Sequence, residues 1–344
     1  MHKIHFNEET GKHSFYSLRE KAWHGYGQIS DKPLPSREVI IQSQLDYTVV
    51  KKAQEYHFDS GNVQISDSKF YTYRTDNETV LGEGLAADYT VLQNVDAFAF
   101  FDDIAKGEGM IYETAGALGH GERIFITAKL PTYITVGNDD VIEKYLFLTS
   151  SHDGSKCLTI AFTPVRIVCN NTLNAALANC SNEIKIIHNA DLNTKLKEAA
   201  RMMGIVNTLS PIMEQAFNHW AKTPIKDKEL ERLIQIALAP TDTLAKINED
   251  KFEECSAKYK NQVYGALGYG LAADSQQLPT TRGTLFGAYN AITGFYQNVN
   301  SYKEDSDEKI NSILFGGNAQ KKCQTAFDLC TQFAKHGASA LGLS

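Results

Sequence analysis

The spacing of hydrophobic residues changes once along this chain, near Asp191. Before that point, residues 110–117 and 123–130 are rich in aromatic and β-branched residues and are separated by a glycine-containing stretch typical of a hairpin loop. Residues 145–149 and 157–162 repeat this arrangement. Two successive hairpins predict an antiparallel β-sheet, because strands joined by short turns run in opposite directions.

Beyond Asp191 the hydrophobic residues recur with helical spacing. The segments with this spacing are residues 191–219, 227–238, 244–258, 284–297 and 318–335. The sequence therefore predicts an α+β fold, with an antiparallel β-sheet of successive hairpins and some helices in the first half and a mostly α-helical second half. We expect three parts: an N-terminal arm (1–36), a β-rich α+β domain (37–190) and a helical region packed on it (191–344).

Shorter elements are predicted in the first half. Ser36 can cap a helix that runs to Leu45, and Asn94 can cap a helix over residues 95–105. A strand at 47–50 is expected to pair with one at 70–74, and a helix is expected over 171–179. The arm before Ser36 contains glycines and prolines without sustained periodicity, which indicates an ordered loop more than a regular element.

The charge of the chain argues against a dedicated binder of duplex DNA. The net charge is −7, and residues 1–190 hold 17 basic against 24 acidic side chains, whereas residues 191–344 hold 17 of each. Proteins that neutralise many phosphates usually carry an excess of lysine and arginine. A nucleic-acid role would therefore depend on a local groove.

Several classes of site are not indicated by the sequence. The six cysteines include no CxxC pair, so we expect reduced cysteines, no disulfide and no metal site. Nucleotide-binding loops are absent, since Gly82-Glu83-Gly84 lacks the third glycine and is better explained as a turn, and no cofactor is expected. The lack of a long apolar run or a signal peptide predicts a cytoplasmic protein without a membrane partner.

Two segments are candidates for nucleic-acid recognition. Trp23 and His24 lie beside glycines, and their rings could stack on bases. We favour the alternative, in which Trp23 is buried in the core and anchors the N-terminal arm. Arg166, Asn170 and Asn171 lie where a strand leads into a helix, and backbone donors at a helix start favour an anion. The alternative for the second segment is an ordinary capped helix.

Two residues are candidates for catalysis. Cys169 would need a neighbouring base to act as a nucleophile, and the sequence indicates none. His152 lies beside Asp153 in a predicted hairpin turn and could act as a base, but such residues more often shape the turn. The sequence therefore leans against an enzyme without excluding one.

Short motifs along nearly the whole chain resemble the phage/plasmid-like family of unknown function (domain of unknown function 932). Its members typically read WHGLG, YETAG, TNSHDGS, FTPVRVVCNNTLNAAL and RGTxWGAYNA. The matching segments are Trp23-His24-Gly25, Tyr112-Glu113-Thr114-Ala115-Gly116, Glu143-Lys144-Tyr145-Leu146, Ser151-His152-Asp153-Gly154, residues 163–177, Arg282-Gly283-Thr284 and Gly287-Ala288-Tyr289-Asn290-Ala291. Tyr26 and Phe286 replace the usual Leu and Trp, which preserves bulky apolar character. The resemblance implies carriage by phages, prophages and conjugative plasmids, and no established reaction.

Three functions are compared. The first is a single-stranded DNA- or RNA-binding or annealing accessory of a mobile element, in which rings such as Tyr71 and Tyr73 stack on bases and affinity falls steeply with salt. Its basic candidates are Lys51, Lys52, Arg74, Lys129 and Arg166. The second is a host-interaction or inhibitor protein with an acidic surface. The third is an enzyme of unfamiliar type around His152, Cys169 and Asn170. A homo-oligomer is compatible with each of the three.

Overall fold

A computed structural model describes residues 4–19, 25–105, 109–155, 157–163, 183–186, 192–302, 312 and 317–343. The chain divides into two compact units. Unit 1 comprises Met1–Pro131, Tyr145–Phe162 and Glu183–Gly204, and unit 2 comprises Thr132–Lys144, Thr163–Asn182 and Ile205–Ser344. Each unit is therefore assembled from three separate stretches of the chain.

Strands and helices are numbered here over the described residues. The strands are β1 (Phe6–Asn7), β2 (Lys12–His13), β3 (Phe15–Leu18), β4 (Gln28–Ser30), β5 (Val49–His57), β6 (Val63–Arg74), β7 (Val80–Leu85), β8 (Ile111–Leu118), β9 (Arg123–Val136), β10 (Asp140–Ser151), β11 (Leu158–Thr163) and β12 (Glu183–Ile186). The helices are α1 (Ser36–Gln42), α2 (Asn94–Ala105), α3 (Leu192–Ala221), α4 (Asp227–Leu238), α5 (Leu244–Asn248), α6 (Ala257–Ala272), α7 (Leu285–Gly294) and α8 (Asn318–His336).

The largest sheet contains seven of the described strands in the order β12-β11-β10-β9-β8-β3-β4. Strands β8 and β9 pair antiparallel, with Ala115 opposite Ile126. Strands β8 to β11 are consecutive neighbours in this sheet, so the predicted pair of successive hairpins is confirmed. The described residues beyond Asp191 are mostly helical, which confirms the α+β fold class.

Part of the N-terminal arm belongs to this sheet. Strand β3 lies between β8, to which it is antiparallel, and β4, to which it is parallel. The side chains of β3 are all buried. The sequence predicted a loop here. Strands β1 to β4 are only two to four residues long, and strands this short show no recognisable alternation in a sequence.

Strands β5, β6 and β7 form a separate three-stranded antiparallel sheet. Val49 pairs with Arg74 and Val50 with Tyr73, which confirms the predicted pairing of residues 47–50 with 70–74. The register shifts between Ala53 and Glu55, and the hairpin continues to the pair His57 and Val63.

The two helices predicted in the first half are present, but the predicted cap residues make other contacts. Pro35 occupies the cap position of α1, and the Ser36 hydroxyl donates to the Asp102 carboxylate at 2.6 Å. Helix α1 ends at Gln42 and does not reach Leu45. The Asn94 carboxamide donates to the Leu45 carbonyl at 3.0 Å, so at the start of α2 it links two segments. The predicted helix over residues 171–179 lies outside the described residues.

One of the helices predicted in unit 2 is wrong. Residues 244–258 were expected to form one helix, but α5 ends at Asn248 and Asp250 has a φ of 57°. A new helix, α6, begins after Ser256, whose side chain accepts from the backbone of Tyr259. Most of α6 is not predicted from the sequence, because its three glycines lower helix propensity. One of them, Gly265, lies where a Cβ would approach the Phe295 ring to 2.6 Å, so it permits close helix packing.

The core of unit 2 is aromatic. Trp220 is buried against Phe327, with ring centroids 4.9 Å apart, and Phe217 lies 5.2 Å from Phe286. The turn between β9 and β10 is tied to α3, because the Asn218 carboxamide accepts from the Gly137 backbone at 2.9 Å. Among the described helices, none has the length and hydropathy needed to cross a membrane.

Two glycines of unit 2 should respond oppositely to alanine. A Cβ at Gly287 would lie 1.8 Å from the backbone oxygen of Thr281, so Gly287→Ala should destabilise the protein by about 1–3 kcal/mol or more. Gly268, inside α6, has no neighbour within 4 Å of its Cβ position, so Gly268→Ala should stabilise it by about 0.5–1 kcal/mol. Thermal unfolding followed by circular dichroism measures both. Shifts of the same sign would contradict the packing described here.

Candidate nucleic-acid interface

One face of the three-stranded sheet carries two adjacent tyrosines and a lysine. Lys52 pairs with Tyr71, and Val50 pairs with Tyr73, so these side chains project from the same face. The Tyr71 and Tyr73 ring centroids lie 5.8 Å apart, with 33° between the ring planes. We call Lys52, Tyr71 and Tyr73 the tyrosine face.

The lysine of the tyrosine face lies over one of the rings. Lys52 Nζ is 5.2 Å from the centroid of Tyr73, within the range of a cation–π interaction. Lys52 is exposed, and both tyrosines are half-buried. Interaction with the Tyr73 hydroxyl is the main cause that raises the pKa of Lys52 above its ordinary value. The tyrosine face therefore offers ring surface beside a permanent positive charge.

Lys51 lies on the opposite face of the same sheet. Its ammonium group donates to the backbone oxygens of Ala87 at 2.7 Å and Tyr89 at 2.6 Å. It also lies 4.7 Å from the centroid of Phe70. Lys51 thus holds the segment after β7 against the sheet and is separated from the tyrosine face.

Arg74 is buried, with 1% of its surface exposed. Its guanidinium donates to the Asp76 carboxylate at 3.0 and 2.6 Å and contacts His5 Nε2 at 2.9 Å. The guanidinium carbon lies 3.9 Å from the centroid of Tyr47. Arg74 therefore lies in a buried polar network, where we had expected a side chain open to phosphate.

The network around Arg74 compensates its charge within the fold. Burial is the main cause that lowers the pKa of His5 to about 4, and the charge of Arg74 lowers it further. Burial alone would raise the pKa of Asp76, but the hydrogen bonds and charge of Arg74 bring it below its ordinary value. At neutral pH the pair is a charged Asp76 and Arg74 beside a neutral His5.

The remaining site candidates are dispersed. Lys129 lies in β9 opposite Ile111 of β8, half-buried in the larger sheet. Trp23, His24, Arg166, Asn170 and Asn171 lie outside the described residues. Among the basic candidates that are described, only Lys52 lies beside the two tyrosines.

His152 is fully buried in unit 1. Its backbone N–H donates to the Glu122 carbonyl at 2.7 Å, and its carbonyl accepts from the Thr72 hydroxyl at 2.6 Å. Its Nε2 donates to the Asn94 carboxamide oxygen at 2.9 Å. These bonds join β6, the loop before β9 and the start of α2, which agrees with the structural role favoured from the sequence.

Glycines in β7 allow the strand to approach the turn after His152. A Cβ at Gly82 would lie 2.4 Å from the Cα of Asp153. Gly82 and Gly84 lie in strand β7, although the sequence had indicated a turn. Burial alone would raise the pKa of Asp153, but hydrogen bonds from Ser155 lower it. Close packing against Asp153 therefore explains Gly82, and no phosphate ligand is needed to account for it.

The far end of the β5–β6 hairpin carries exposed apolar side chains that sequence analysis missed. Tyr56, Phe58, Val63 and Ile65 are 44%, 51%, 51% and 64% exposed. Val63 and Ile65 lie on one face of the hairpin, whereas Tyr56 is paired with a neighbour of each and lies on the other face. We call these four residues the hairpin tip. Exposed groups of large apolar side chains often mark a binding surface. The spacing of Val63 and Ile65, two residues apart in a strand, is the signal that could have identified part of it.

The three-stranded sheet is not basic overall. Residues 49–85 contain four basic and six acidic side chains. A ligand bound to the tyrosine face would therefore be held by ring contacts more than by charge. Among the described residues, no group of three or more His, Cys, Asp or Glu side chains is arranged to hold a metal ion.

The chain was compared with protein families, curated proteins and solved structures. Residues 83–313 match the model of the family described as Domain of unknown function (DUF932). No curated protein and no solved structure matches the chain. The tyrosine face precedes the matched range, whereas β8 to β12 and α2 to α7 lie within it. Because the match covers more than half of the 344 residues, the chain belongs to the DUF932 family.

Proposed function

We propose that the protein binds single-stranded nucleic acid, DNA or RNA, through the tyrosine face. The observation that carries the proposal is the adjacent pair Tyr71 and Tyr73 with Lys52 at 5.2 Å from the second ring. Sites for single strands combine aromatic platforms with positive charge along the backbone path. Two rings 5.8 Å apart allow neighbouring bases to stack in succession.

Single strands are the favoured ligand because their bases expose ring faces. In a duplex each base is stacked between its neighbours and is closed to Tyr71 and Tyr73 without unpairing. Proteins that bind duplexes usually gain their affinity from a basic surface that contacts the phosphates. The excess of acidic side chains in residues 49–85 argues against that mode.

The sequence alone led us to expect steep salt dependence, and the structure lowers that expectation. Arg74 is paired with Asp76, and Lys51 is held by backbone oxygens. Lys69 lies in a stretch of β6 that has no partner residue in β5, so Lys52 is the phosphate contact that the paired strands place on the tyrosine face. Each phosphate neutralised contributes about 0.7 to the log–log salt slope for a single strand. We therefore expect a shallow slope of about one unit from the tyrosine face.

The biological setting that we propose is a phage, prophage or conjugative plasmid. This setting rests on the motifs that resemble the phage/plasmid-like family. Such elements pass through single-stranded stages when they replicate or transfer. A cytoplasmic protein that covers or anneals these strands would suit that setting.

Titration of a labelled forty-nucleotide strand tests the proposal. Lys52→Gln should weaken binding and reduce the salt slope by about 0.7, because one phosphate contact is lost. Lys228→Gln, an exposed lysine of unit 2, is the matched control and should change neither quantity. Fluorescence anisotropy at several salt concentrations measures both. If folded wild-type protein fails to bind the strand at low salt, the proposal is wrong.

The hairpin tip supports a second candidate, a host-interaction protein. Val63 and Ile65 share one face of the hairpin and are 51% and 64% exposed, and an exposed apolar surface can serve a protein partner. From the sequence alone, this candidate depends on an acidic surface instead. If strand binding fails, Ile65→Asp becomes the informative substitution, because it should abolish capture of a host protein without affecting folding.

A further inference from the structure

A cavity of about 300 Å³ lies in unit 2. Its described lining comes from the beginning of β10, from the residues after α6 and from α7. The α7 positions in the lining are 286, 289, 290, 293 and 294, so one face of this helix forms a wall. The volume is at the lower end of the range for ligand pockets, so the cavity suits one small ring system.

Two carboxamides in the lining have no hydrogen-bond partner among the described residues. The Gln276 side chain is 4% exposed, and its amide makes no such bond, although its backbone N–H donates to the Ala273 carbonyl at 2.8 Å. The Asn290 carboxamide is half-buried and likewise has no described partner. Buried amides are rarely left in this state, because the bonds lost with water are not replaced. Both groups are therefore available to a ligand.

Aromatic side chains form another part of the wall. Phe217 and Phe286 are buried, and their ring centroids lie 5.2 Å apart. Tyr269 also lines the cavity, and a Cβ at Gly294 would lie 2.0 Å from its ring, so the glycine makes room for the tyrosine. Aromatic surfaces pack well against planar ring systems. The lining thus combines flat apolar surface with two unpaired carboxamides.

The chemistry of the carboxamides selects the ligand class. A carboxamide carries N–H donors beside an oxygen acceptor, so it matches a ligand edge on which an acceptor lies beside an N–H donor. Nucleobases present such edges on planar rings, and Asn and Gln side chains pair with adenine in this way. Adenine offers two of these edges, because its amino group carries one hydrogen beside N7 and one beside N1. Guanine presents two acceptors on its N7 edge.

We infer that this cavity binds an adenine base. The carboxamides of Gln276 and Asn290 bond to its amino group and ring nitrogens, and the aromatic wall covers its ring. Adenine binding here is independent of strand binding by the tyrosine face, since the described lining belongs to unit 2 and the tyrosine face to unit 1.

Isothermal titration of the full chain with adenosine tests adenine binding. Adenosine should bind at least about tenfold more tightly than purine riboside, which has the same ring system without the amino group. Inosine, which carries an oxygen in place of the amino group, should also bind at least about tenfold more weakly. These comparisons use wild-type protein, so they do not depend on the folding of any variant.

Substitution of Gln276 assigns the binding to this cavity. Gln276→Leu should weaken adenosine about tenfold or more and reduce its advantage over purine riboside, while thermal unfolding is unchanged or shifted upward. Gln277→Leu is the matched control, because Gln277 is exposed and outside the described lining, and it should leave adenosine binding unchanged. Asn290→Asp, which keeps the shape and removes the N–H donors, should also weaken adenosine.

A short thymidine strand with one central adenine distinguishes two sources of the base. It is titrated into protein in which Tyr71 and Tyr73 are both replaced by alanine, so that the tyrosine face does not contribute. Binding tighter than that of adenosine indicates a base within a strand, and weaker binding indicates a free adenine compound.

Three results would overturn adenine binding in this cavity. The first is the absence of adenosine binding by wild-type protein at millimolar concentration. The second is equal affinity for adenosine and purine riboside. The third is unchanged adenosine affinity in a folded Gln276→Leu protein. Each of these results leaves strand binding by the tyrosine face intact, so the two proposals fail separately.

Discussion

Replacing Tyr71 and Tyr73 together by alanine should weaken single-strand binding by about 30-fold or more. Each base stacked on an aromatic side chain contributes about 1–3 kcal/mol, and the two rings lie side by side on one face of the sheet. The salt slope should hardly change, because stacking releases no counterions. Titration of the labelled strand at two salt concentrations measures both effects.

Two further variants identify the cause of this loss. Replacing both tyrosines by phenylalanine keeps the rings, so it should preserve most of the affinity. Tyr264→Ala removes an exposed tyrosine from unit 2, 49% exposed, and should leave binding unchanged. A double alanine variant that melts like wild type and still binds normally would exclude the tyrosine face as the site.

Arg74→Ala should lower the free energy of unfolding of unit 1 by about 2–4 kcal/mol. The substitution removes a buried guanidinium that bonds Asp76 and His5 and covers the Tyr47 ring. Hydrogen bonds to a charged group contribute about 1.5–3 kcal/mol each, and the substitution also leaves a gap against His5 and Tyr47, whereas Asp76, 32% exposed, regains water. Urea unfolding followed by circular dichroism measures the difference.

The control for Arg74 is an arginine that is paired at the surface. Arg201 is 63% exposed and pairs with Glu198 at 3.1 Å, so Arg201→Ala should change stability by less than about 1 kcal/mol. A similarly small effect of Arg74→Ala would contradict the buried network. Any loss of strand binding by Arg74→Ala must be interpreted with its melting curve, since Arg74 does not lie on the tyrosine face.

The long elements of this fold were predictable because their patterns are long. The hairpins of β8 to β11 and helix α4 follow from alternation or helical spacing over many residues. The strands of the N-terminal arm are too short to show a period. Helix α6 was missed because Gly265, Gly268 and Gly270 lower its propensity, while packing against Phe295 requires the first of them.

The candidate interface was only partly predictable. Tyr71, Tyr73 and Lys52 were identified from their residue types and from an expected pairing of strands. The sequence did not reveal which of two consecutive lysines shares a face with the tyrosines, because a shift of one residue in register exchanges the faces. The burial of Arg74 depends on His5 and Tyr47, which are distant in sequence and carry no local signal.

Unit 2 contains a cavity of about 300 Å³ that was not predicted from the sequence. Its polar groups come from β10 and, more than one hundred residues later in the sequence, from the residues after α6 and from α7. Glu143 and Asn290 belong to motifs noted in the sequence, but no spacing rule places them together. Only the tertiary fold brings such groups into one cavity.

The turn between β9 and β10 determines when the protein can finish folding. Residues 132–144 belong to unit 2, whose main part begins only at Ile205. Contacts such as Gly137 with Asn218 and Asp140 with Thr280 therefore join residues 81 and 140 positions apart. During synthesis, this turn emerges long before its partners, and its contacts with them form only after those residues have been synthesised. Contacts over such distances slow folding, so unit 2 should be the last part to become resistant to protease on the ribosome.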